Sequence, residues 1–116
     1  MLIRVDSSNS EPLFEQIAAR VRHLASSGEA VAGERLPAAR ELAEALEVNV
    51  HTVLHAYQRL RDEGLIELRR GRGAILTGAA ASVADLSAHV DVLVAEARRV
   101  GVAPATLTAM ITKAYS

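Results

Sequence analysis

Two histidines, His51 and His55, have a spacing that could serve metal chemistry. Four residues apart on a helix, they would share one face, as the histidines of a His-Glu-x-x-His zinc site do. No glutamate follows His51, no third ligand has a suitable spacing, and the chain contains no cysteine. We therefore expect no metal and no other cofactor, and we interpret the pair as side chains that face solvent or the groove of a partner.

Three arginines within four residues form a second chemically distinct group. Residues 69–72 read Arg-Arg-Gly-Arg without an acid, although the net charge of the whole chain is −1. A local cluster of this kind can bind phosphate, because the local potential and not the net charge acts at an interface. The chain has only one phenylalanine, two tyrosines and no tryptophan, too few for a surface on which single-stranded bases stack. The pattern therefore favours duplex DNA as a partner.

Other classes of protein are less compatible with the 116 residues. The chain shows no nucleophile paired with a base, and Gly71 and Gly73 fit a hairpin tip rather than a phosphate loop that opens a helix. We therefore expect no enzymatic activity. No apolar run is long enough to cross a bilayer, and the first residues lack the apolar stretch of a signal peptide. We expect a cytoplasmic protein without a membrane partner.

The elements that must position these groups follow from the spacing of apolar residues. Leu13, Ile17, Val21 and Leu24 recur at helical intervals, which predicts a first helix that ends near Ser26. The other predicted elements are a strand over residues 2–6, a second helix that opens at Pro37, a third helix that ends at Gly64, and strands over residues 65–69 and 74–76. Together they predict a mainly helical α+β fold, a winged helix-turn-helix, over residues 1–78.

The break at residues 47–49 makes the second and third helices a helix-turn-helix. The small side chain of Ala43 allows the two helices to cross closely, and apolar residues surround the crossing. They are Leu42, Leu46, Val48, Val53 and Ala56. In this arrangement the N-terminal end of the third helix can enter a major groove. The candidate DNA-contacting residues on this helix are Asn49, Val50, His51, Thr52 and His55. Because the chain reverses at Glu47, we expect that residue in the left-handed backbone region.

Residues 33–76 resemble the DNA-binding domain of the GntR family of bacterial regulators. The residues that carry the resemblance are Leu36-Pro37, Arg40, Leu42-Ala43, Leu46, Val48-Asn49, Thr52-Val53, Ala56-Tyr57, Leu60, Gly64 and Gly71-Arg72-Gly73. Residues 12–17, the Asn49 and Ala56-Tyr57 pattern, and a short helical tail are similar to the YtrA subfamily. The resemblance implies a dimeric repressor in which Arg40 projects toward DNA. It also implies that Arg70, Gly71 and Arg72 form a wing tip that reaches the adjacent minor groove.

The last third of the chain, residues 79–116, is predicted to be a helical dimerisation region. Residues 78–82 are small and read as a linker, Gly101 ends the helix that follows, and Pro104 opens a last helix. The candidate dimerisation residues are Val83, Leu86, Val90, Leu93, Ala97, Val100, Leu107 and Ile111. The alternative is that this apolar seam packs on the chain's own first domain. Dimerisation is favoured, because two short helices cannot bury two apolar faces alone.

These patterns predict a transcription regulator, expected to be a repressor, that binds an inverted-repeat operator as a homodimer. The alternative is a winged-helix module that binds another protein and not specific DNA. The arginines at the wing tip and Arg40 favour DNA, because a protein-binding module needs no basic clamp. No polar cluster in the tail marks a site for a small-molecule effector, so the existence and identity of an effector stay open.

Overall fold

In a computed structural model that describes residues 1–116, the chain forms five helices and one antiparallel pair of strands. The helices are α1 (Leu13–Ser27), α2 (Ala39–Leu46), α3 (Val50–Asp62), α4 (Ala79–Arg99) and α5 (Pro104–Tyr115). The strands are β1 (Ile66–Arg69) and β2 (Gly73–Leu76). Backbone contacts divide the chain into two units, residues 1–85, here called the head, and residues 86–116, here called the tail.

The head is a winged helix-turn-helix, which confirms the predicted fold. Helices α1 and α2 both pack against α3, and the apolar side chains between them form one core. Its largest fully buried side chains are Ile17, Val21, Leu36, Val53, Leu60, Ile66 and Leu76. Ala43 is buried where α2 meets α3. Burying one such aliphatic side chain contributes about 1.5–3 kcal/mol, so the core holds α3 in place without a metal or a disulfide.

The turn between α2 and α3 has the backbone conformation that the sequence predicts. Glu47 has φ 57° and ψ 44°, and it is the only residue other than glycine with a positive φ. Its backbone N–H points back to the carbonyl oxygens of Ala43 and Glu44 and closes α2. The left-handed conformation therefore stops one helix and redirects the chain into the next.

The two strands form the wing of the fold. Their register pairs Ile66 with Leu76 and Arg69 with Gly73. The hairpin tip contains Gly71 and Gly73, whose φ angles of 80° and 78° lie in the region that glycine adopts without steric cost. The hairpin reading of the Arg-Gly-Arg-Gly segment is thereby confirmed, and the tip carries its arginines outside the ladder.

Residues 2–6 do not form the predicted strand, so that prediction was wrong. The side chain of Ile3 is buried in the core of the head. Gln16 satisfies the backbone of Asp6 on both sides, accepting from its N–H at 2.7 Å and donating to its carbonyl oxygen at 3.0 Å. The Nε of Arg20 donates to the carbonyl oxygen of Leu2 at 3.2 Å. Side chains of α1, rather than a neighbouring strand, therefore hold this segment.

The interpretation of residues 78–82 as a linker was also wrong. Helix α4 begins at Ala79, and Ala80 is buried in the core of the head. The hydroxyl of Thr77 donates to the carbonyl oxygen of Gly64 at 2.6 Å and accepts from the N–H of Ala79 at 3.2 Å. Small residues can read as a linker, but alanine is the strongest helix former, and here it extends α4 onto the head.

The tail contains the rest of α4 and the whole of α5. Gly101, with φ 78°, follows α4, and Pro104 is the first residue of α5, as the sequence predicts. Ala97 is buried within the tail, but α5 buries none of its side chains and makes little contact with α4. The tail therefore leaves large apolar side chains exposed. None of the helices combines the length and the apolar character that crossing a membrane requires.

Candidate nucleic-acid interface

The N-terminal end of α3 is set by Asn49, the residue before its first turn. The Oδ1 atom of Asn49 accepts a hydrogen bond from the backbone N–H of His51 at 2.8 Å. This N-cap satisfies one of the amide groups that the first turn of a helix leaves without a partner. The carbonyl of the Asn49 side chain is therefore occupied, and only its NH2 group remains free to donate to a partner.

The next three residues of α3 differ in exposure. Val50 is half-buried and packs against the core of the head, and Thr52 is also half-buried. The His51 side chain is exposed and forms no hydrogen bond within the chain. Among the four residues predicted at this helix end, His51 is thus the one whose side chain is fully available to a partner.

His55 is held by an aromatic contact that spacing alone does not predict. Its imidazole stacks on the ring of Phe14 in α1, with 3.8 Å between ring centroids and 19° between the planes. The guanidinium of Arg59 lies 5.6 Å from the centroid of the same phenylalanine ring, and it pairs with Glu15 at 3.5 Å. One face of the His55 ring is therefore directed at α1 and is closed to a partner. No cluster of three or more metal-ligand side chains includes either histidine.

Sequence reasoning missed two residues on the same exposed side of α3. Leu54 and Gln58 lie three and seven residues after His51, and both are exposed. Leu54, 37% exposed, lies outside the buried stripe of Val53, Ala56, Tyr57 and Leu60. The helical repeat carried that signal, because positions three and seven residues after an exposed residue stay on one face.

The arginines predicted to contact DNA are exposed and form no ion pair with the chain's own acids. Arg40 lies in the first turn of α2, and Arg70 and Arg72 lie at the wing tip around Gly71. Five other arginines, Arg22, Arg59, Arg61, Arg69 and Arg99, are paired with carboxylates. The charge of Arg40, Arg70 and Arg72 is therefore not neutralised by a contact within the chain.

A groove joins the start of α2, the middle of α3 and the wing. It has a volume of about 370 Å³, and its walls include Ala39, Leu54, Leu68 and Arg70. On its floor the hydroxyl of Tyr57 donates to the carbonyl oxygen of Pro37 at 2.6 Å, and burial raises the pKa of Tyr57. This bond holds the start of α2 against α3, so the elements that carry Arg40, His51 and Arg70 bound one continuous surface.

The residues predicted for dimerisation divide into three groups. Val83 is half-buried and packs on the core of the head, and Ala97 is buried within the tail. Leu107 is half-buried. The others are exposed: Leu86, Val90, Leu93, Val100 and Ile111. The structure adds exposed apolar residues outside the predicted seam, Val92 at 71%, Met110 at 58% and Tyr115 at 90%.

Comparison with known proteins places this arrangement among regulators. Residues 13–76 match the family described as bacterial regulatory proteins, gntR family. The HTH-type transcriptional repressor YtrA of Bacillus subtilis is 40% identical over 76 residues, which cover 66% of this chain and 58% of that protein. The HTH-type transcriptional regulator Rv1152 of Mycobacterium tuberculosis is 32% identical over 99 residues, covering 85% of this chain and 82% of the other.

A solved structure extends the similarity to three dimensions. YtrA from Sulfolobus acidocaldarius, a GntR-family transcription factor, superposes with a TM-score of 0.61 and 38% identity, covering 66% of this chain and 81% of that one. The matched family segment takes in α1, the helix-turn-helix and the wing. The chain belongs to the GntR family of bacterial regulatory proteins, with YtrA proteins among its relatives, and it is a regulatory protein rather than an enzyme.

Proposed function

We propose that this chain is a homodimeric transcription repressor that binds duplex DNA at an inverted-repeat operator. The observation that carries the proposal is the exposed surface made by the first turns of α2 and α3 and by the wing, where Arg40, Arg70 and Arg72 have no acidic partner within the chain. Duplex DNA offers the phosphates that such arginines bind and a major groove wide enough for a helix. Such a repressor acts in the cytoplasm, where its operator lies.

The proposal gives the exposed side chains different roles. His51 enters the major groove and contacts a base edge, and the free NH2 group of Asn49 donates beside it. Leu54 supplies an apolar contact for a thymine methyl group, a role that suits it better than Val50 because Val50 packs against the core. Arg40 and Arg72 hold phosphates or a narrow minor groove, which fixes the register of the protein but reads no sequence directly.

Exposed apolar side chains of the tail support the homodimer. Helix α5 has 12 residues and no buried side chain, and an isolated helix of that length is marginally stable in water. Leu86, Val90 and Leu93 follow one another at intervals of four and three residues on α4, the spacing of a seam between paired helices. A second copy of the tail would cover these side chains, and a dimer would place two α3 helices on one operator.

Repression is proposed from the similarity to the Bacillus subtilis repressor YtrA. That similarity covers 66% of the chain, and the winged helix-turn-helix lies within this share. A bound dimer would occupy operator DNA that other proteins need, which is the simplest route from binding to repression.

The proposal is tested by sequencing the genomic fragments that the purified full-length protein retains. We expect an enriched inverted repeat whose half-site centres lie about 10 bp, or a multiple of that, apart. His51→Ala should change the preferred base at one position of each half-site, whereas His89→Ala, an exposed histidine of the tail, should leave the motif unchanged. Fragments without a shared motif would contradict the proposal and favour the alternative module that binds another protein.

A further inference from the structure

The groove between α3 and the wing has the chemistry of a small-molecule site. Its floor is the buried Tyr57, and its walls expose two leucines, Leu54 at 37% and Leu68 at 39%. The N-terminal rim is Pro37-Ala38-Ala39, which adds no polar side chain. Exposed apolar side chains that converge in one concavity mark a surface that gains from being covered.

The polar side chains around this groove include two arginines and no acid. Arg69 is paired with Glu67, at 2.7 Å from its Nε to the carboxylate, whereas Arg70 has no ion pair. The hydroxyl of Tyr57 is already committed to the carbonyl oxygen of Pro37. A ligand would therefore meet an apolar cavity with one free positive charge at its edge, which fits a molecule with an apolar body and a single anionic group.

The size of the groove limits the size of that molecule. A volume of about 370 Å³, at the ~30 Å³ that one water molecule occupies in the liquid, corresponds to about twelve non-hydrogen atoms. This is near the lower end of the volumes of small-molecule sites in proteins. An aryl-alkyl or medium-chain monocarboxylate has the required size and charge.

We propose that the groove binds a small amphipathic carboxylate, with its apolar part between Leu54 and Leu68 and its carboxylate on Arg70. The regulatory consequence rests on the proposed DNA binding, because Arg70 and Leu54 belong to the surface assigned to DNA. The carboxylate and a DNA phosphate need the same guanidinium, so a bound carboxylate weakens the affinity for the operator. The effector site is thus in the head and needs no larger ligand domain.

The test uses 4-phenylbutyrate and the neutral 4-phenylbutanamide, which have equal numbers of non-hydrogen atoms. Methyl NMR of the full-length, DNA-free protein follows Leu54 and Leu68 during titration. We expect 4-phenylbutyrate to shift both leucine signals with a dissociation constant of about 2 mM, the affinity typical of about twelve atoms. The amide should bind at least about fivefold more weakly, because it lacks the charge that Arg70 attracts.

Matched variants locate the site. Arg70→Gln and Leu54→Gln should each weaken the binding of 4-phenylbutyrate by about fivefold or more, whereas Arg4→Gln, an exposed arginine outside the groove, should leave it unchanged. Methyl spectra of each variant report whether the head is folded. Equal binding of acid and amide, or binding that neither groove variant changes, would overturn the site.

The regulatory step is read separately by fluorescence anisotropy with an operator duplex. About 10 mM 4-phenylbutyrate should weaken DNA binding by about fivefold, the factor expected from competition at a dissociation constant of about 2 mM, while equal sodium acetate should not. An unchanged DNA affinity at saturating 4-phenylbutyrate would overturn the regulatory step. If the protein binds no duplex specifically without ligand, the proposed function fails, but the titration of the DNA-free protein still decides whether the groove is a site.

Discussion

At the scale of single residues, Glu47 has a backbone conformation that glycine adopts more easily. An L-residue in the left-handed region costs about 1–2 kcal/mol, part of which glycine returns through the larger entropy of its unfolded chain. We therefore expect Glu47→Gly to raise the free energy of unfolding by about 0.5–1 kcal/mol. Urea unfolding at a fixed protein concentration measures the change. Glu47→Ala keeps the conformational cost and removes the acid, so a gain of equal size in that variant would contradict this explanation.

Asn49 combines a structural role with a proposed DNA contact, and two substitutions separate them. Asn49→Ala removes the N-cap of α3 and should lower the free energy of unfolding by about 1 kcal/mol. Asn49→Ser keeps a capping oxygen and should unfold within about 0.5 kcal/mol of the original chain, but it lacks the amide donors. We expect the serine variant to lose base discrimination while it keeps its stability. A serine variant with unchanged operator preference would limit Asn49 to capping.

At the scale of elements, the exposed face of the tail is the feature whose partner the proposal names. Replacing both Leu86 and Leu93 with glutamate puts charges in the seam of α4 and should give monomers whose head stays folded. Val31→Glu alters a similarly exposed apolar residue of the head and should stay dimeric. Sedimentation at micromolar protein concentration distinguishes the two outcomes. If the original chain already sediments as a monomer, or the double variant as a dimer, the tail is not the dimer interface.

The accuracy of the sequence predictions depended on how local the determining signal was. Helical spacing and glycine positions located α1, α3, α5 and the wing, because these signals lie within each element. Residues 2–6 and 78–82 were misread because Gln16 and Thr77 settle those segments through contacts distant in sequence. For the same reason spacing could predict an exposed His51 but not the stacking of His55 on Phe14, nor the groove between α3 and the wing.

At the scale of the whole molecule, the net charge of −1 sets the salt dependence of DNA binding. Few unpaired arginines reach the proposed surface, so we expect a modest fall of log affinity with log salt. Arg40→Gln and Arg72→Gln should each weaken binding to all duplexes to a similar extent and reduce the slope by about one. Arg98→Gln, in the last turn of α4, is the matched control. An unchanged slope in both head variants would remove phosphate contact from their proposed roles.

The measurement that tests the central claim most directly is a comparison of affinities at physiological salt. The full-length protein is titrated with the inverted repeat recovered from the genomic fragments and with a duplex of the same composition in scrambled order. The proposal predicts that the inverted repeat binds at least about 10³-fold more tightly, with one dimer on each duplex, the lower end of the range for specific regulators. Equal affinity for the two duplexes would contradict sequence-specific repression and leave protein–protein contact as the function of the surface.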